Sequence, residues 1–281
     1  MLTKLYASCL GALVLLLLLG ATTFKMSVND REKDNLRGPV KTVTEKEYRP
    51  VLVNGKIEKG NLLFTNISSY TVDGRLIKKS FQSQDGELIQ LDTFIYNNQK
   101  QLIRSDHTSS LKQHKWITYR YVEDSLLVRS THEYANGRKM DKIQLFNAEG
   151  YLVAFYEVHP WKPDAKSNKE YYRYDSHGRK TETHIDYFDK GTIKIFYEYD
   201  ANGNLTDERE FFSDSGPGRF RKSEYNEHNH VVKHVVTQDG NILTTEITSY
   251  GTYDAKGNYL QYSMFVDGMP YTIRDRVISY Y

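Results

Sequence analysis

Apolar and polar positions alternate in short runs along most of this chain, and turn-forming residues interrupt the runs at regular intervals. Thr192-Ile-Lys-Ile-Phe-Tyr-Glu-Tyr199 and Lys115-Trp-Ile-Thr-Tyr-Arg-Tyr121 show the pattern. Both are rich in β-branched and aromatic residues with partial period-two alternation, the mark of strands. No stretch beyond residue 30 carries a convincing helical stripe. Superimposed on the strands is a repeat. An aromatic residue, usually tyrosine, stands six positions before an apolar one, with anchors at Tyr70, Tyr96, Tyr121, Phe146, Tyr174, Tyr199, Tyr225 and Tyr253, spaced 25 to 28 residues apart. A fixed period of this size marks a repeat architecture.

The six-residue spacing predicts a hairpin. In the clearest copy, Tyr199-Asp-Ala-Asn-Gly-Asn-Leu205, a type I turn with Gly203 in the left-handed region makes Asp200 and Asn204 opposing residues. Tyr199 and Leu205 then face each other on one side of an antiparallel pair. Asp and Asn suit the early turn positions because their side chains bond nearby backbone, and glycine accepts positive φ without steric cost. Tyr70–Leu76, Phe146–Leu152 and Tyr253–Tyr259 follow the same rule. Lys100, Ser125 and Asn229 stand where the glycine belongs in three copies. Asn tolerates positive φ, whereas Lys and Ser do so less well, so the Lys100 and Ser125 turns are expected to differ. The Tyr174 copy keeps Gly178 but places Lys180 at the apolar position.

Second turns alternate with the first at Asn54-Gly55, Asp85-Gly86, Asn136-Gly137, Lys190-Gly191, Asp239-Gly240 and Asp267-Gly268. Most of these are the strongest short-range hairpin signals. Longer connections are expected instead at His107 to His114, His159 to Lys169 and Ser213 to Arg221, and loops of that kind are where function concentrates. The pattern gives an all-β antiparallel meander of about 16–18 strands from eight hairpin repeats. Open sheets rarely exceed ~10 strands without curling or splitting. The sheet is therefore expected to curl into a barrel-like or spiral shell with tyrosine and leucine on the concave side.

Residues 5 to 24 carry no charge and contain Leu13-Val-Leu-Leu-Leu-Leu-Leu19 between Lys4 and Lys25. Such a segment reads as a secretory signal peptide or as an uncleaved N-terminal membrane anchor. Either places the β domain outside the cytoplasm. The domain plan is thus 1–24 signal or anchor, 25–37 a charged flexible tether, and 38–281 a single β-repeat domain. Cys9, the only cysteine, precedes the long leucine run and so does not suit lipidation; the rest of the chain has no disulfides. The net charge of +2 implies no strong attraction to nucleic acid. Tyrosine dominates the aromatics, 23 against 12 phenylalanines and two tryptophans, which suits a sheet whose rings pack while their hydroxyls reach polar partners.

Tyr199-Asp200-Ala201-Asn202-Gly203-Asn204-Leu205 resembles the YD repeat of RHS-type bacterial surface and toxin-delivery proteins, with partial copies at Tyr253-Asp-Ala-Lys-Gly-Asn258 and Tyr174-Asp-Ser-His-Gly178. Phe146-Asn-Ala-Glu-Gly150 is also similar to MORN-like repeats of a bacterial antitoxin family. The resemblance implies stacked strand–turn–strand units and a role in holding or contacting other molecules. The chain lacks the length, self-cleavage motif and variable toxin of an RHS shell, so a toxin is not implied.

Candidate chemistry is sparse. His228, His230 and His234 share parity and could present imidazoles to zinc, but His228 occupies a turn position and no further ligand is evident. Asp200, Asn202 and Asn204, with Asp207 and Glu208 beyond, alternate oxygen ligands as a calcium loop does; a turn explains them equally. Asp164, Asp175 and Asp186 read as solvated faces. Trp116, and Trp161 in Pro160-Trp-Lys-Pro163, are candidates for stacking on a sugar or peptide. No nucleophile, zincin or phosphate-loop motif occurs.

No catalytic, cofactor or metal site is therefore assigned. The expectation is a non-enzymatic extracytoplasmic binding or structural module at the cell envelope, contacting a protein or carbohydrate. The alternatives are an outer-membrane β-barrel and an envelope hydrolase with a site assembled across strands. Polar residues in the rows Phe64, Asn66, Ser68, Tyr70 and Gln90, Asp92, Phe94, Tyr96 weigh against the membrane barrel, because a lipid-facing row is apolar throughout. The row Ile193, Ile195, Tyr197, Tyr199 meets that requirement.

Overall fold

A computed structural model of the chain describes residues 30–110, 113–122, 126–158, 168–187, 191–213 and 216–281. The N-terminal apolar segment, Ser125 and Trp161 lie outside them. One helical turn, α1 (Asp30–Lys33), precedes the strands β1 (Val40–Val53), β2 (Lys56–Tyr70), β3 (Leu76–Ser83), β4 (Leu88–Tyr96), β5 (Leu102–Ser109) and β6 (His114–Tyr121). There follow β7 (Leu127–Tyr134), β8 (Lys139–Phe146), β9 (Leu152–Val158), β10 (Lys169–Tyr174), β11 (Lys180–Tyr187) and β12 (Gly191–Tyr199). The last are β13 (Leu205–Phe212), β14 (Gly216–Tyr225), β15 (Val231–Gln238), β16 (Asn241–Tyr250), β17 (Gln261–Val266) and β18 (Met269–Tyr280).

Each strand pairs antiparallel with its sequence neighbours, and β18 pairs with β1 from Val40↔Tyr280 to Tyr48↔Ile273. That last ladder closes eighteen strands into a barrel. Closure removes the unpaired edges that a spiral would leave open.

The anchor turns have the expected geometry. In the Tyr199 copy, Gly203 has φ 86°, its amide donates to Asp200 O at 3.1 Å, and the Asp200 amide donates to Asn204 O at 2.9 Å. Tyr199 then pairs with Leu205 across a register shift. Asp200 Oδ1 accepts the amides of Asn202 and Asn204, which is why aspartate opens the turn. The Lys100 turn does not differ as expected: Lys100 takes φ 66° and donates to Asn97 O like its glycine counterparts. Its ammonium reaches Asp73 of the neighbouring anchor turn at 3.0 Å, an interaction glycine lacks.

The tyrosine hydroxyls explain why the anchors are tyrosine. Tyr96 donates to Leu76 O, Tyr121 to Leu102 O, Tyr174 to Leu152 O, Tyr199 to Lys180 O and Tyr225 to Leu205 O, all between 2.7 and 3.1 Å. Each of these five anchors thus ties its turn to the carbonyl of the sixth-position residue one repeat earlier. The last copy departs from the expected anchor. Tyr250 donates to Val231 O at 3.1 Å, while Tyr253 and Tyr259 form only an isolated bridge in the connection to β17.

Two further expectations change. Residues 30–37 do not hang free as a tether; they form a strap across the anchor end. The Asp30 carboxylate accepts the Leu76 amide at 2.8 Å, Asp34 accepts the Tyr70 hydroxyl, and the Arg37 amide donates to Asn258 Oδ1 at 2.7 Å. Leu36 packs with Val40, Val43 and Tyr70, all buried. The strap stays because it satisfies polar groups at the rim while covering apolar side chains. The connections at His107–His114 and Ser213–Arg221 are also shorter than expected, since β5 runs to Ser109 and β14 starts at Gly216. In β14 the chain approaches so closely that a Cβ on Gly218 would sit 2.2 Å from Glu210 O.

The two faces of the wall differ. The row bearing the anchors includes Glu47 and Arg276, whose side chains are 9% and 8% exposed. The other row includes Arg173 and Lys222, at 78% and 75%. Side chains converge on the concave side of a closed wall and splay on the convex side. The anchor row is therefore the inner wall, as expected for tyrosine and leucine.

Candidate functional site

The inner wall is polar and aromatic. Its densest region spans β15 to β1. Arg276 donates twice to Glu45, at 3.0 and 2.6 Å, and to the Tyr259 hydroxyl at 2.5 Å, with its guanidinium 3.8 Å from the Tyr259 ring centroid. Arg274 pairs with Glu47 at 2.6 Å. Beside them His230 stacks on Tyr253 and meets Tyr259 edge-on, with centroids 5.6 and 5.1 Å apart. Burial holds His230 neutral, lowering its pKa to about 4, with Arg37, His228 and Arg276 adding to the shift. Burial likewise raises the Tyr262 hydroxyl to about 12. These partners cover most of one another's polar groups and ring faces, but His230 Nε2 and Arg276 Nη1 are buried without a hydrogen-bond partner.

A second inner-wall region lies on β4 to β9. His107 Nδ1 is 2.9 Å from Asp92 Oδ1, and its Nε2 is 3.0 Å from Ser105 Oγ. The connectivity is that of a nucleophile, base and orienting carboxylate. Two observations make it a structural network. Ser105 is 1% exposed, so its hydroxyl faces no open space. The Ser–His pair, without the carboxylate, also recurs one repeat later as Ser130 and His132 at 3.3 Å, which marks that pair as part of the hairpin unit. Strand amides are directed along the sheet into the ladder, which leaves no convergent pair for an oxyanion. Nearby, Lys142 pairs with Glu157 at 3.0 Å. His132 is lowered to about 4 by burial first, then by Lys115, Lys142 and His107.

The histidines singled out in the sequence do not converge. His228 and His230 have ring centroids 6.4 Å apart, but His234 bonds Ser223 across β14. Among the described residues, no group of three or more His, Cys, Asp or Glu side chains is placed to hold a metal ion. The calcium set is split: Asp200 is saturated by turn donors, Asp207 pairs with Lys222 on the outer wall, and Glu208 pairs with Arg221 on the inner. Asp175 caps its own turn through Arg179, and Asp186 bonds His184 at 2.9 Å. Trp116 meets His114 edge-on at 5.2 Å. Asp164, like Trp161, lies outside the described residues. Sequence reading missed the arginines of β18, whose partners on β1 lie over 220 positions away. Only barrel closure joins them.

The outer wall carries cross-strand ion pairs: Arg129–Asp141 at 2.6 Å, Arg173–Glu182 at 2.9 Å, Arg209–Glu198 at 2.5 Å and Lys233–Glu224 at 2.9 Å. An aromatic stripe, Phe196, Phe211 and Phe220, runs between them at 5.8 Å centroid spacing.

The fold defines the class: a closed, antiparallel, eighteen-stranded β-barrel. No protein-family model and no curated protein matches the chain. Among solved structures it is similar to a porin-like protein from Bacteroides uniformis, with 11% identity, 86% of this chain and 99% of that one covered, and a TM-score of 0.48. A porin-like protein from Bacteroides vulgatus gives 12% identity, 86% and 98% coverage and a TM-score of 0.29. The Photorhabdus luminescens Tc holotoxin pore gives 10% identity, 82% and 18% coverage and a TM-score of 0.24. Likenesses of this strength carry no functional argument.

Proposed function

We propose that this protein is a non-enzymatic, extracytoplasmic β-barrel that works in water as a binding or structural module at the bacterial cell envelope. The outer wall carries this reading. A barrel in hydrocarbon needs an apolar band, and each Arg or Lys at mid-membrane costs about 2–4 kcal/mol. Here Arg129, Arg173, Arg209 and Lys233 stand on the outer wall with acidic partners. Such pairs are at home in water. The ligand class expected is a protein or carbohydrate.

An outer-membrane barrel is the second reading. It is favoured by the even strand count, the all-antiparallel closed meander and the outer aromatic stripe. Fractionating cells that express the full chain separates the two. Recovery in periplasm or medium without detergent supports the first reading. Retention in outer membranes until detergent is added establishes the second. Covalent labelling of Ser105 by a fluorophosphonate would overturn the non-enzymatic part.

A further inference from the structure

The rim opposite the anchor turns is unlike the rest of the barrel. β1 and β2 are 14 and 15 residues long, whereas β3 to β17 run six to ten and β18 twelve. They pair with each other to Val53↔Lys56, but β1 leaves β18 after Tyr48 and β2 leaves β3 after Phe64. The ends of β1 and β2 therefore project as a two-stranded ribbon. Five residues beyond the rim reach about 16 Å at ~3.3 Å each. Its tip is apolar and exposed, with Leu52 at 72% and Val51, Val53 and Ile57 also open to solvent. Two hairpins along the same arc of the rim add to it. Met269 and Tyr271 on the β17–β18 hairpin are 71% and 61% exposed, and Ile242 on the β15–β16 hairpin is 67% exposed.

We infer that this rim is a membrane-contact surface, with the ribbon entering the headgroup region of an anionic lipid bilayer. Three observations favour lipid over a protein partner. The apolar residues sit at the tips of three different hairpins, a shape that a fluid bilayer can follow. Behind the ribbon tip stand exposed Arg49 and Lys56 against one exposed acid, Glu58, while Lys59 is paired with Asp275 of β18 at 2.6 Å. An apolar point backed by cations matches an anionic lipid surface. The ribbon also resists strand addition, since Pro50 lacks an amide on the edge where β1 has left β18. Asp239 and Asp267 lie in the turns of the other two hairpins, which holds those tips at headgroup level and makes the ribbon the deepest element.

The inference rests on the water-facing reading of the barrel. The test uses the protein as cells release it, with an environment-sensitive dye on Leu52→Cys in a Cys9→Ser background. A second sample carries the dye on Asn202→Cys, in an exposed turn at the anchor end. On vesicles of phosphatidylethanolamine and phosphatidylglycerol, the dye at 52 should shift to the blue and be quenched by lipid-borne nitroxide, while that at 202 stays unchanged. Ile57→Asp should lower the vesicle-bound fraction by about tenfold, the scale of one buried aliphatic side chain. Lys56→Glu should lower it on anionic vesicles alone. No shift at 52, quenching at 202 instead, or a shift that accompanies dimerisation without vesicles overturns the inference. A barrel that needs detergent throughout fails the earlier reading instead, so the two failures are distinguishable.

Discussion

The two ends of this barrel are built from the same hairpin but not to the same purpose. At the anchor end the turns repeat one geometry, the tyrosine hydroxyls bind carbonyls one repeat back, and the strap covers Tyr70 and Val43. At the opposite end the connections vary, two strands overrun the wall, and large apolar side chains stand in solvent. The first end holds the repeats in register. The second is free to change because little depends on it for folding. The contrast teaches that local uniformity marks load-carrying structure and local irregularity marks a contact surface.

Substitutions can sharpen that contrast. The largest effect is expected from Tyr70→Ala, which empties a site 2% exposed beneath the strap and should cost about 3–5 kcal/mol in urea unfolding. Acid should act next. His132 and His230 have folded pKa values of about 4, below the ordinary value of 6.5. The unfolded chain therefore binds more protons between these values, and stability is full above pH ~6.5 and falls as pH drops toward 4. Thermal scans from pH 7.5 to 4 should show the decline, and His132→Leu should flatten it. Unchanged slopes in that variant would refute the assignment.

Smaller effects follow. Tyr199→Phe keeps the ring and loses the hydroxyl bond to Lys180 O, for about 0.5–1.5 kcal/mol. Lys100→Gly should raise stability by roughly 0.5–1 kcal/mol by relieving positive φ, less whatever the Asp73 contact supplies. Leu52→Asp, at the opposite rim, should move stability by less than about 0.5 kcal/mol. An equal loss at Leu52 and Tyr199 would break the comparison.

Much of the fold was legible in the residues. The Asp200–Gly203 turn, the six-residue pairing of Tyr199 with Leu205 and the strand count all follow from local chemistry, because a hairpin is decided within a dozen residues. Less of the wall was. The Asp92–His107–Ser105 network joins positions 15 apart through a register that the sequence leaves open. The choice of Tyr250 over Tyr253 depends on how the connection after β16 leaves the sheet. The polar rows that weighed against a membrane barrel belong to the inner wall. The outer row, with Arg173, Arg209 and Lys233, is the one that decides that question.

By itself, then, the order of residues determined the all-β class, the repeat unit and the turns, since periodicity and positive φ are local properties. Only the tertiary structure decided that the sheet closes. The β1–β18 ladder and the Arg276–Glu45 and Arg274–Glu47 pairs join the two ends of the chain. Which face is concave, where the strap lies and which hairpin overruns the rim follow from that closure. Such contacts depend on the accumulated twist and curvature of eighteen strands, which no single segment encodes.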